Sequence, residues 1–151
     1  MMSPIGSIRF SFPRLRRLAI GVVVVMIASG CAAEERDSGA GTVVAVTERD
    51  FAIKAPERVS AGDLVLQVGN RGPDSHELIV VRAEDSRLPF RTDGLTVDEE
   101  ALEKATVGVL EAGEPGSLRE LQLKLAPGRY QLFCNMSGHY FGGMHAELVV
   151  G

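Results

Sequence analysis

The sequence predicts an all-β domain, a sandwich or barrel, carried behind an N-terminal export segment. Two observations predict the β class. From Thr42 onward the apolar residues fall in short β-branched or alternating runs, and turns containing Pro or Gly separate them. Roughly seven or eight such runs are the pattern of a sandwich or barrel. A third observation sets the domain apart from what precedes it: residues 32–41 ("AAEERDSGAG") are small, polar and charged, with no periodicity.

Taken in order, Arg14, Arg16 and Arg17 precede Leu18–Ala28, an apolar run of 11 residues, and "ASGC" closes the segment at Cys31. A basic flank, a short apolar stretch and small residues at its end describe a signal segment over 1–30, too short for a comfortable membrane span. The Ala-Ser-Gly-Cys ending resembles a bacterial lipobox, with Ala28 where that pattern prefers Leu. The resemblance implies that Cys31 is lipidated and becomes the first mature residue. Residues 31–41 are then a lipid-anchored flexible tether, and 42–151 form one domain, large enough to bury a core.

Within the domain, "TVVAVT" (42–47), "FAIK" (51–54) and "DLVLQV" (63–68) read as strands. "HELIVVR" (76–82) follows the turn "GNRGPDS", "LQLKL" (121–125) precedes "APGR", and "YQLFC" (130–134) and "MHAELVV" (144–150) close the chain. The exception is 84–116, a long connection. There Thr96, with Glu99 three residues on, makes a capping-box pattern before "EEALEKA" and predicts a short helix near 97–105.

Charge narrows the function. Removal of residues 1–30 takes Lys and Arg from 16 to about 12 against 20 acidic residues, a mature charge of about −8. That balance argues against nucleic-acid binding, which runs on basic patches. With Cys31 lipidated, Cys134 is the one free thiol and no intramolecular disulfide can form.

The residues around that thiol carry the chemistry. "FCNMSGHYFGGMH" (133–145) holds Cys134, two of the three histidines and two of the five methionines. Strand side chains alternate faces. His76, Leu78 and Val80 therefore share a face, as do Tyr130, Leu132 and Cys134, and Met144, Ala146, Leu148 and Val150. Glu77 and His145 fall on the opposite faces. A buried histidine beside a thiol and a thioether needs a partner, and two imidazoles, a thiolate and a weak axial thioether define a blue-copper site. Structural zinc takes four Cys or His ligands rather than Met. A Cys-His hydrolase would need an orienting Asn or Asp and an oxyanion hole, neither of which is evident.

On these residues the chain resembles the cupredoxins, the type 1 copper proteins of the azurin, plastocyanin, auracyanin and sulfocyanin type. "APERVSAGDLVLQVGNRG" is similar to their early strands and "DSHELIVV" to their upstream histidine segment. "PGRYQLFCNMSGHYFGGMH" is similar to their ligand loop, with C-x4-H-x4-M spacing. The resemblance spans about 42–82 and 117–151. It implies a Greek-key β-sandwich and one type 1 copper per chain, held by His76, Cys134, His139 and Met144. Tyr140 and Phe141 are either core or, as the resemblance implies, near an apolar docking patch, and Met136 is expected to pack within the loop. Two departures stand out. Many relatives have Asn after the first histidine, where it ties the two ligand loops together, and here Glu77 stands there. The loop is also one residue longer between His139 and Met144 than in azurins.

The implied activity is one-electron transfer outside the cytoplasmic membrane, with membrane-bound or soluble redox proteins as partners and the lipid as membrane anchor. The alternative is a copper-binding or trafficking lipoprotein. Transfer proteins expose labile Met/His clusters, whereas the two methionines and three histidines after Cys31 suit one closed site. Copper oxidases and nitrite reductases need further histidines, and a binuclear copper domain needs a second loop cysteine. An enzyme is therefore not expected.

Overall fold

The computed structural model describes residues 41–83 and 87–151. The signal segment, Cys31 and residues 32–40 of the tether lie outside the described residues. Among those described, no helix is long and apolar enough to cross a membrane.

Strand β1 (Thr42–Arg49) turns into β2 (Ala52–Lys54), and β3 (Arg58–Val59) leads to β4 (Gly62–Asn70) and β5 (His76–Arg82). One helical turn, α1 (Glu99–Leu102), precedes β6 (Thr106–Gly113), β7 (Leu118–Leu125), β8 (Gly128–Phe133) and β9 (His145–Val150). The strands form two sheets, of order β2-β1-β4-β7 and β3-β9-β8-β5-β6. Pairing is antiparallel except for β1 with β4 and β3 with β9. The fold is thus the β-sandwich that the sequence predicts.

Alternation builds the space between the sheets. Val44 and Val46 on β1, Leu64, Leu66 and Val68 on β4, and Leu123 and Leu125 on β7 face Leu78, Val80, Tyr130, Leu132, Leu148 and Val150 of the other sheet. Each fully buried aliphatic side chain contributes about 1.5–3 kcal/mol. Cys134 and Met144, one residue beyond the ends of β8 and β9, belong to this same core, continuing the parity of the adjoining strands.

Strands β5 and β8 are buried on both faces. Ile79, Val81 and Phe133 form a second core with Leu88, Val97 and Tyr140 on the outer side of the five-stranded sheet. This explains why "LIVV" reads as a continuous apolar run rather than an alternating one.

The 84–116 connection departs from expectation in two ways. Its helix is only Glu99–Leu102, and the N-cap is Asp98, whose side chain accepts from the Ala101 N–H. Thr96 does not cap it: its hydroxyl faces the Asp93 carboxylate at 3.4 and 3.5 Å. The same stretch also supplies strand β6, paired along β5.

Candidate metal centre

Each half of the site is presented by its own local structure. His76 opens β5 directly after a tight loop. Asn70, fully buried, shapes that loop by donating to the carbonyls of Asp74 (2.7 Å) and Gly113 (2.9 Å) and accepting from the Gly72 N–H (2.9 Å). A register shift between His76 and Leu78 interrupts the β5–β6 ladder, a device that re-aims side chains beside functional sites.

The second half is the loop between β8 and β9. The Cys134 N–H donates to the Met144 carbonyl (3.1 Å), and the Met144 N–H donates to the His139 carbonyl (3.0 Å). The first bond ties the loop's two ends together, and the second ties its C-terminal end to its middle. Gly138 and Gly143 take φ of +80° and +105°, where a side chain would be strained.

The sequence-predicted residues His76, Cys134 and His139 come together here, with their ligand atoms all within 4.8 Å of one another. Cys134 Sγ lies 3.6 Å from His139 Nδ1, and the two imidazole rings are 5.3 Å apart between centroids. Donors at about 2.0 and 2.3 Å from one metal lie at most about 4.3 Å apart, so the Sγ–Nδ1 spacing suits a shared ion. His76, Cys134 and Met144 are fully buried, while His139 is half-buried. Met144 lies in the same core as Cys134. His145 projects the other way and stacks on Tyr140 at 4.7 Å.

Tests of fit come from the donor atoms. His76 Nε2 meets the Asp50 carboxylate at 3.0 Å, whereas its Nδ1 is buried with no hydrogen-bond partner. A buried unpartnered imidazole nitrogen is costly, and a metal beside the Cys134 sulfur would satisfy it. Burial holds His76 below its ordinary pKa, against the opposing pull of Asp50, with His139 adding to the depression. The neutral imidazole that results is the ligand form. Burial likewise pushes the Cys134 thiol up, while the backbone amides of Met136 and Glu77 pull it down. A cation is what would complete its ionisation.

Glu77 takes over a tie between the two ligand segments. Its carboxylate accepts from the Asn135 N–H at 3.1 Å, one residue beyond each of the first two cluster members. Asn135 in turn uses its side chain on Val97 and Glu99. The surface above the cluster is apolar: Phe51, Phe90 and Phe141 are 52%, 38% and 57% exposed. Phe90 stacks on Phe141 at 4.6 Å, and Phe51 meets the His139 ring edge-on at 5.5 Å. Tyr140 is core, its hydroxyl 3.1 Å from Gln131 Oε1. Met136, expected to pack within the loop, is instead 37% exposed.

No family model and no curated protein matches the chain. Solved structures do. The auracyanin of the photosynthetic bacterium Roseiflexus castenholzii is 19% identical, with 75% of this chain and 99% of that one covered and a TM-score of 0.55. Auracyanin A of Chloroflexus aurantiacus, described as a blue copper protein, is 17% identical over 74% of this chain and 99% of its own, at 0.54. The azurin of Methylomonas sp. strain J is 18% identical over 74% and 99%, at 0.51. The fold is that of the cupredoxins.

Against the cupredoxin resemblance seen in the sequence, three supporting residues went unnoticed: Asp50, Asn70 and Asn135. Asn135 could have been found by its place beside Cys134. Asp50 and Asn70 sit in ordinary turn contexts, and only the fold brings them to His76.

Proposed function

We propose that the chain is a type 1 copper protein that carries single electrons outside the cytoplasmic membrane. The observation that carries this reading is the buried, unpartnered Nδ1 of His76 in one cluster with the Cys134 thiol and His139. His76 Nδ1, His139 Nδ1 and Cys134 Sγ would hold the copper, with the Met144 thioether as a further, weaker ligand. Bound there, copper supplies one-electron chemistry.

The protein's own part is to hold the donors and keep water out. The loop's backbone bonds fix Cys134 and Met144 whatever the charge of the site, so little reorganisation accompanies its change. The thiol proton leaves when the site is filled, and the amides of Glu77 and Met136 steady the thiolate. His139, half-buried beneath exposed phenylalanines, gives the cluster its side nearest the surface, and an apolar redox partner surface would dock there. Burial of Cys134 and Met144 favours a resident metal over a cargo handed on, which weighs against copper trafficking. The lipobox-like ending at Cys31 supports anchoring by lipid at the membrane surface.

The test is the visible spectrum of the oxidised, copper-loaded protein. One copper per chain and an intense blue or green colour are expected, and Cys134→Ser should abolish the colour because the charge-transfer band needs the thiolate. Colourless Cu(II) binding, or zinc alone in protein isolated from cells, would overturn the type 1 reading.

A further inference from the structure

The turn between β1 and β2 is fitted to both histidines. Asp50 and Phe51 form it, and Phe51 has φ of +60°, a conformation aromatic residues rarely adopt. Such strain persists where the surroundings enforce it, often at functional sites. Here the surroundings are the ligand segments. Asp50 Oδ1 stands 3.0 Å from His76 Nε2 and 3.4 Å from the Asp74 N–H. A Cβ on Gly72 would overlap Asp50 Oδ1 and come within 2.9 Å of His76 Nε2, so that glycine leaves the gap in which carboxylate and imidazole meet. On the other side, a Cβ on Gly142 would overlap the Phe51 ring and one on Gly143 would lie 3.0 Å from the Phe51 carbonyl oxygen. The turn thus touches the His76 loop through Asp50 and the His139 loop through Phe51.

Asp50 also brings a charge. Its side chain is 24% exposed, whereas that of His76 is fully buried. A carboxylate accepts only, so the proton of a neutral His76 belongs on Nε2 and the lone pair on Nδ1. Partners of this kind fix the tautomer and raise the basicity of a ligating histidine. A negative charge behind the ligand also stabilises the more highly charged oxidation state.

We propose that Asp50 is a positioning residue for the copper site: its carboxylate holds His76 as the Nε2–H tautomer with Nδ1 free for the metal, and its charge lowers the reduction potential. Phe51 locks the turn that places it. The inference rests on the copper reading above, and its tests separate the two. In the full-length protein, Asp50→Asn keeps an acceptor for Nε2–H and removes the charge, so it should keep the coloured site and raise the potential in a redox titration. Asp50→Ala should also raise the potential and weaken copper affinity about 10- to 100-fold. Copper-loaded Asp50→Asn and Asp50→Ala proteins with the wild-type potential would overturn the proposal.

A second measurement does not depend on copper. In the metal-free protein, nitrogen NMR of His76 should show the Nε2–H tautomer in the wild type and in Asp50→Asn, and a mixture of tautomers in Asp50→Ala. An unchanged tautomer in Asp50→Ala would overturn the positioning role. A wild type that binds no copper but shows the expected tautomers would overturn the copper reading and leave the positioning of His76 supported.

Discussion

Glu48 carries a carboxylate into the core at the end of β1, with none of its surface exposed. Arg119 on β7 meets Glu48 Oε2 at 2.6 Å and also donates to the Glu111 carbonyl, while Glu48 Oε1 is left without a partner. Burial pushes Glu48 up to about 7, against the pull of Arg119 and with a smaller push from Glu77. Between its ordinary value of 4.5 and about 7, the folded protein therefore keeps a proton that the unfolded chain releases. The contribution of Glu48 to stability is greatest below that window and falls as pH rises through it, by up to about 1.4 kcal/mol per pH unit. Denaturant unfolding of the metal-free protein from pH 5 to 8 should show this fall, and Glu48→Gln should flatten it. Parallel pH curves for the two proteins would rule the assignment out. Strand alternation itself puts Glu48 on the face of Val44 and Val46, but the apolar run ends at Thr47, so a reading by hydropathy stops one residue short. The same alternation did place His76, Cys134 and Met144 on core faces, because their neighbours Leu78, Leu132 and Leu148 are unmistakably apolar.

At the level of elements, the connection before β6 acts as a strap on the ligand loop. The side chain of Asn135 behaves like a neighbouring strand: Oδ1 accepts from the Val97 N–H at 2.6 Å, and Nδ2 donates to the Val97 carbonyl at 3.1 Å and to Glu99 at 2.6 Å. The Gly138 N–H adds a bond to the Leu95 carbonyl at 3.1 Å. Because Val97 is fully buried, Asn135→Ala would strand two backbone groups away from water. A loss of about 2–3 kcal/mol in unfolding free energy is expected, together with faster copper release to a chelator. A loss below about 0.5 kcal/mol would show that the strap is not coupled to the loop. Strand β6 escaped the sequence reading because Gly108 breaks its run "TVGVL". A side chain there would overlap Leu123 of the opposite sheet, so the glycine marks a close approach between sheets rather than a turn.

For the whole molecule, the sandwich was legible in the spacing of its strands, but the parallel neighbours β1 with β4 and β3 with β9 were not. Those pairings depend on contacts distant in sequence, which local patterns do not encode. The N-terminal segment raises the opposite case: the export signal proposed for residues 1–30 rests on the sequence alone. Were residues 1–30 removed as proposed, the chain would carry about −8 and would be repelled by an anionic membrane surface within a Debye length of about 8 Å. If residues 32–41 serve as the tether their composition predicts, a flexible chain of that length would span about 18 Å, enough to keep such a domain in water while its cluster meets a membrane-bound partner. One acyl chain anchors only marginally, whereas two or three hold firmly. Lipoprotein-type modification of Cys31 is therefore expected to keep the wild type in the membrane fraction. Cys31→Ser should release still-coloured protein to the soluble fraction or leave the signal segment uncleaved. Fractionation with mass spectrometry of the mature N-terminus decides it. Wild-type protein found wholly soluble with an unmodified Cys31 would sink the anchor and leave the copper site untouched.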